Sequence, residues 1–165
     1  MSHPRVGIVM GSKSDLDVMT GATSVLKDLG IEHEVRVLSA HRTPEQTNRY
    51  ANTAEERGIE VIICGAGMAA ALAGVMAAES DLPVIGVPVG GSLIGLDALF
   101  ATVQMPPGVP VATVAIGKAG AKNAAWLAAR IMAAKDPGLK SRMAAAKQAM
   151  REKVLADDAS LQGGV

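Results

Sequence analysis

A chain of 165 residues suits one domain and leaves room for a substantial core. Sixteen basic residues balance sixteen acidic ones, so the net charge favours neither nucleic acid nor a membrane surface as partner. The single cysteine excludes an internal disulfide and fits a reducing cytoplasm, and one Trp, one Tyr and one Phe leave little to stack against a flavin.

Strand-like and helix-like segments alternate along the chain. Met1-Ser2-His3-Pro4 carries no secretory or transit pattern and leads straight into a short apolar run, Arg5 to Met10, ended by Gly11. Leu16, Met19, Thr23, Leu26 and Leu29 recur at helical spacing, and Gly30 closes that helix. Glu34 to Leu38 reads as the second strand. Thr43, Pro44 and Gln46 then give a helix start signal: a capping hydroxyl, proline at the first helical position and an amide three residues after the cap. The helix from Pro44 to Arg57 ends at Gly58. Val61 to Cys64 is the third strand, with a turn at Gly65-Ala66-Gly67 and an alanine-rich helix over about Met68 to Glu79. Cys64 lies inside an apolar run with no charged neighbour and reads as a buried, inert thiol.

Pro83 to Val89 is the fourth strand, and Gly90-Gly91-Ser92 opens a loop. Leu96 to Val103 reads as helix, Val109 to Ile116 as a fifth strand and Asn123 to Ala134 as a further helix. Beyond Asp136-Pro137-Gly138, the residues Leu139, Met143, Ala146, Met150 and Val154 make one narrow stripe on an otherwise polar helix, expected over about 138–157 and reaching another subunit. Ser160 to Val165 reads as a frayed tail. Glycine, proline and charge interrupt every candidate membrane span. Continuous apolar strands joined by helices predict a parallel sheet covered on both faces, a doubly wound sandwich forming a single domain with a core over 5–134. The wealth of alanine, glycine and methionine predicts further apolar burial between subunits.

Three turns carry the chemistry. Gly11-Ser12-Lys13-Ser14-Asp15 lacks the Gly-Lys pair of a nucleotide-triphosphate loop and is not a GxGxxG dinucleotide turn. It offers two hydroxyls and free backbone N–H groups at a helix N-terminus, where an anion is favoured. Capping alone needs only one of these residues. The carboxylate of Asp15 suits ribose hydroxyls better than phosphate. In Ser39-Ala40-His41-Arg42-Thr43, Arg42 supplies a planar fork for phosphate oxygens, and His41 is the one histidine at a strand-to-helix turn, where an imidazole can give and take a proton. His3 lies in the tail and His33 enters the second strand. Gly65, Ala66 and Gly67 contribute only backbone, and so permit either close approach to a ligand or a tight connection. In a flavodoxin-like order the first and third strands are adjacent and the second flanks the first, so all three turns meet at one crevice.

The motifs VGIVMGSKSD, VRVLSAHRTPE, VIICGAG, LPVIGVPV, GLDAL, VQMPPGVPVATVAIG and AKNAAWLAARI, spread over about Arg5 to Ile131, resemble the 5-(carboxyamino)imidazole ribonucleotide mutase family of purine synthesis. The resemblance implies a flavodoxin-like three-layer αβα sandwich with a parallel sheet and an extra C-terminal helix, assembled as a homo-octamer with sites near subunit boundaries. It implies that Ser12, Ser14 and Arg42 hold the ribonucleotide phosphate with Ser39 nearby, that Asp15 contacts the ribose, and that His41 is the general acid/base. Gly65, Ala66 and Gly67 would form a backbone-lined wall. Neither metal nor cofactor is implied.

The third turn departs from the family pattern GAGGAAHLPG: Met68 replaces the second glycine of its Gly-Gly pair, Ala71 its histidine and Ala73 its proline. The loop Gly90 to Gly95 is one residue shorter. Relatives that carboxylate aminoimidazole ribonucleotide directly carry lysine where Arg42 stands. Direct carboxylation and a non-catalytic nucleotide-binding relative are the alternatives. A response-regulator receiver would need a phosphoacceptor aspartate where Cys64-Gly65 ends the third strand.

Overall fold

The computed structural model describes residues 3–91 and 93–162. It divides into two compact units, Met1–Ala128 and Ala129–Val165. The first unit is built on five parallel strands, β1 (Val6–Met10), β2 (His33–Val37), β3 (Val61–Ala66), β4 (Val84–Pro88) and β5 (Ala112–Thr113), in the order β2-β1-β3-β4-β5. β1 is thus flanked by β2 and β3, with Val6 level with both His33 and Val61. β1 and β4 are buried along their whole length, as both-face coverage of a parallel sheet demands.

The connecting helices are α1 (Leu16–Asp28), α2 (Pro44–Thr53), α3 (Leu72–Glu79), α4 (Leu96–Val103) and the start of α5 (Gly117–Ala133). One face of the sheet presents Val9, Ile62, Cys64 and Val84 to Tyr50, Ala51, Leu72 and Met76 of α2 and α3. Gly86 of β4 lies on the same side, so close to Thr102 of α4 that a Cβ would collide with it. On the opposite face Gly65 packs against Met19 of α1, and α1 meets the first turn of α5 through Gly21 and an Asp17–Lys118 ion pair of 3.2 Å. These layers make the flavodoxin-like sandwich.

The helix ends follow local chemistry. After α1, Gly30 takes a left-handed φ of 64° while its N–H donates to Lys27 O and that of Ile31 to Leu26 O. α2 stops at Thr53, tightens into a 3₁₀ turn over Glu55–Arg57, and is closed by Gly58 at φ 89°. Four other elements differ in extent from the sequence reading. β3 runs on to Ala66, so Gly65 is a strand residue. α3 begins at Leu72, because Met68 and Ala70 hold positive φ values of 55° and 32°, incompatible with a right-handed helix. β5 pairs over two residues only, and α5 starts at Gly117, six residues before Asn123.

The second unit holds the end of α5 and α6 (Pro137–Gln162). Asp136 Oδ1 accepts from Leu139 N–H at 2.9 Å and so caps α6. Helix continues through Ser160, Leu161 and Gln162, which were expected to fray; the rest of that tail, 163–165, lies outside the described residues, as do Met1, Ser2 and Ser92. Along the expected stripe Leu139 and Met143 are buried, whereas Met150 is 50% and Val154 67% exposed. Among the described residues no helix is long and apolar enough to cross a membrane.

Candidate active site

A cavity of about 620 Å³ opens at the carboxyl ends of the central strands, within the usual range for small-molecule sites. The sheet ladder continues past the strands and draws the turns together: Leu38 N–H donates to Met10 O, Gly11 N–H to Gly65 O, and Val89 N–H to Ala66 O.

From the first turn Gly11, Ser12, Ser14 and Asp15 line the cavity. Ser12 caps a 3₁₀ turn over Lys13–Asp15, its Oγ accepting from Ser14 N–H at 3.3 Å. Ser14 Oγ lies 2.9 Å from Ser12 Oγ and 3.4 Å from Asp15 Oδ1, so its one hydroxyl proton serves either acceptor. Asp15 stands at the N-cap of α1 yet makes no capping hydrogen bond with its side chain. Ser12 does the capping, and the Asp15 carboxylate is turned to the cavity. Partial burial holds that carboxyl above the usual aspartate range, outweighing the Ser12 backbone, the Ser14 hydroxyl and the Arg42 charge. Lys13 is exposed and does not line the cavity.

From the second turn come Ser39, Ala40, His41 and Arg42. Ser39 Oγ accepts from Arg42 N–H at 3.2 Å and from Arg42 Nε at 3.4 Å, and Arg42 Nη2 donates to Gly11 O at 2.9 Å. The guanidinium therefore bridges the first and second turns. His41 is exposed at the cavity wall. Thr43 was expected to cap α2 with its hydroxyl, but makes no such bond. Its Oγ1 accepts from Ser39 N–H at 2.8 Å and donates to Ser39 O at 3.1 Å instead.

Ala66 and Gly67 of the third turn line the cavity, and Gly65 does not. Gly65 is buried in β3, where a Cβ would run into Met19, so its need for glycine is packing rather than ligand approach. At Gly67 a Cβ would sit 3.2 Å from Val89 O, which brings the ends of β3 and β4 close. The loop over 68–71 and Gly90-Gly91 complete the wall. Those last two stretches were not read as site residues: alanines suggested a helix start, and two glycines after a strand were the only signal for the other. The remaining histidines lie elsewhere, His33 with Nδ1 3.0 Å from Ile31 O and His3 beside Pro4 and Gly58. Cys64 is buried, and burial pushes its thiol far up, as an inert sulfur requires.

The cavity thus gathers hydroxyls, a guanidinium, a carboxylate and an imidazole around backbone-lined walls. Anion binding at the serine turn and proton transfer at the imidazole are the chemistry it can perform. The family model for AIR carboxylase matches residues 5–153. The N5-carboxyaminoimidazole ribonucleotide mutase of Pyrococcus abyssi is 57% identical over 149 residues, covering 90% of this chain and 84% of the relative. That of Mycobacterium tuberculosis is 56% identical over 161 residues, covering 97% and 91%. Among solved structures, Treponema denticola PurE superposes with a TM-score of 0.86 at 32% identity, covering 96% of this chain and 98% of that one.

Proposed function

The chain belongs to the AIR carboxylase family, and from that premise we propose how it acts as a mutase, converting N5-carboxyaminoimidazole ribonucleotide to 4-carboxy-5-aminoimidazole ribonucleotide in purine biosynthesis. Ser12, Ser14 and Arg42 take the phosphate, with Ser39 orienting Arg42, and Asp15 takes the ribose. The heterocycle then extends toward His41, with Ala66 and Gly67 as a wall that admits a planar carboxylate. The observation that carries this reading is the Arg42 bridge to Gly11, which fixes the serine turn and the histidine turn on one cavity.

In the proposed reaction the N–CO₂ bond breaks, its electron pair stays on nitrogen, and His41 protonates that nitrogen. Ring carbon C4, made nucleophilic by the amino group, attacks the trapped carbon dioxide. His41 then takes the C4 proton, aromaticity returns, and the imidazole ends the cycle as it began. The chain's contribution is orientation, one proton out and back, and retention of the gas. The protein acts as one mutase domain in the cytoplasm, where the single reduced thiol is at home. Its uncovered apolar residues on α4 and α6 support self-association, and the homo-octamer is the assembly that the family resemblance implies.

The test offers each substrate separately: carboxyamino ribonucleotide without bicarbonate, and aminoimidazole ribonucleotide with it. Turnover of the first supports the mutase. Turnover of the second alone establishes direct carboxylation; Arg42 favours the mutase, a preference that Ala71 in place of the family histidine weakens. His41→Asn is expected to lose about 10² to 10⁴ in kcat while still binding the ribonucleotide; binding with no turnover even in the unaltered chain would mark a non-catalytic relative.

A further inference from the structure

The residues from Ser39 to Thr43 form a closed five-residue turn. Thr43 N–H donates to Ser39 O at 2.9 Å, and the Thr43 hydroxyl adds two further bonds, one to each peptide group of Ser39. Ala40, His41 and Arg42 are the residues enclosed. Thr43 is itself anchored: its carbonyl accepts both N–H and Oγ1–H of Thr47, a side chain with no exposure at all. A continuous path therefore runs from buried Thr47 through Thr43 to Ser39, then to Arg42, and across to Gly11 of the serine turn. A threonine before Pro44 would ordinarily cap the helix. Here its hydroxyl is spent backwards, on the turn.

We propose that Thr43 is a positioning residue for the reaction, its hydroxyl holding the turn in the one conformation that presents His41 and Arg42 to the cavity. The proposal rests on the mutase reading for the roles of those two side chains, and on geometry alone for the turn. Without the hydroxyl, the competent turn is only a fraction of the population, and apparent affinity falls by that fraction. Two hydrogen bonds are lost, which corresponds to about a tenfold loss of competent population. Bound substrate selects the closed turn, so the effect falls mostly on KM.

The experiment compares wild type, Thr43→Val and Thr43→Ser in the full chain, at a temperature where all three are folded by circular dichroism. Thr43→Val is isosteric and removes both bonds; Thr43→Ser keeps them. Expected for valine is a KM raised about tenfold with a smaller fall in kcat, and for serine a return to within threefold of wild type. Hydrogen exchange over a peptide spanning residues 38–44 is read on the same proteins, and the Ser39 amide should exchange at least ~10-fold faster in Thr43→Val only. A KM unchanged in the valine variant, a loss confined to kcat, a serine variant no better than valine, or unaltered exchange overturns the proposal. If wild-type protein leaves the carboxyamino ribonucleotide untouched, the mutase reading fails instead, and amide exchange alone decides whether Thr43 sets the turn.

Discussion

The two charged side chains in the cavity are held in opposite ways. Arg42 is committed through Nε and Nη2, and among the described residues its Nη1 makes no hydrogen bond. Lysine has one charged nitrogen and cannot keep the bridge to Gly11 and the contact with Ser39 while also meeting a phosphate. Arg42→Lys should therefore raise KM by roughly 10- to 100-fold, the worth of a charge-assisted bond, with little change in kcat; steady-state kinetics reads the split, and an unchanged KM removes Arg42 from phosphate binding. Asp15 is held against its own preference, since burial raises its folded-state pKa above the unfolded value. Ionising it costs more in the folded chain than in the unfolded one. That cost is absent at pH below the ordinary aspartate pKa and is fully developed once pH has risen past the folded one. Asp15→Asn should accordingly raise Tm at pH 7, give little or no gain in acid, and weaken ribonucleotide binding. Melting curves at the two pH values check the sign, and an equal gain at both would point to packing rather than ionisation.

At the scale of elements, β1, β3 and β4 were readable because a parallel sheet buried on both faces needs continuous apolar runs, and few other segments here supply them. The turns after β1 and β2 were readable because polar residues sit abruptly beside such runs. What escaped was decided by tertiary partners. Nothing local distinguishes Met68-Ala69-Ala70-Ala71 from a helix start, since three of the four are alanine, the best helix former. The edge strand β5 shrank to Ala112–Thr113 because only Ile85 and Gly86 face it in the ladder. Gly117, at φ 78°, lets α5 start early, and Gly120 then lies flush on Ala115. The loop after β3 carries a testable cost. Met68 is 67% exposed at φ 55°, a conformation that disfavours a side chain by about 1–2 kcal/mol. Met68→Gly should relieve that strain, partly offset by about 0.5–1 kcal/mol of glycine entropy in the unfolded chain, for a gain in Tm of up to about 6 °C. A lower Tm would show that the methionine side chain contributes packing that outweighs its backbone strain.

For the whole molecule, the composition and the surface make one case. Small side chains let α4 approach β4 at Gly86, using Ala98 and Thr102 as the buried face. That leaves Leu96, Phe100 and Val103, spaced at four and three residues, as an apolar stripe on the outer side, with Leu93 and Ile94 exposed just before it. Phe100, one of three aromatic side chains in the chain, is 59% exposed. An outward stripe of this kind is where the proposed assembly would form, and it follows directly on the Gly90-Gly91 wall of the cavity. Self-association through α4 would therefore place a second copy beside the site and link assembly to activity. A charge at the centre of that contact would be buried without a partner. If the proposed homo-octamer uses this face, Phe100→Glu should give smaller species than the unaltered chain by sedimentation velocity while leaving the circular dichroism spectrum unchanged, since the residue lies outside the core. Specific activity should fall with the loss of mass. An unchanged sedimentation coefficient would move the interface elsewhere, with the outer part of the α6 stripe, Met150 and Val154, as the next face to charge.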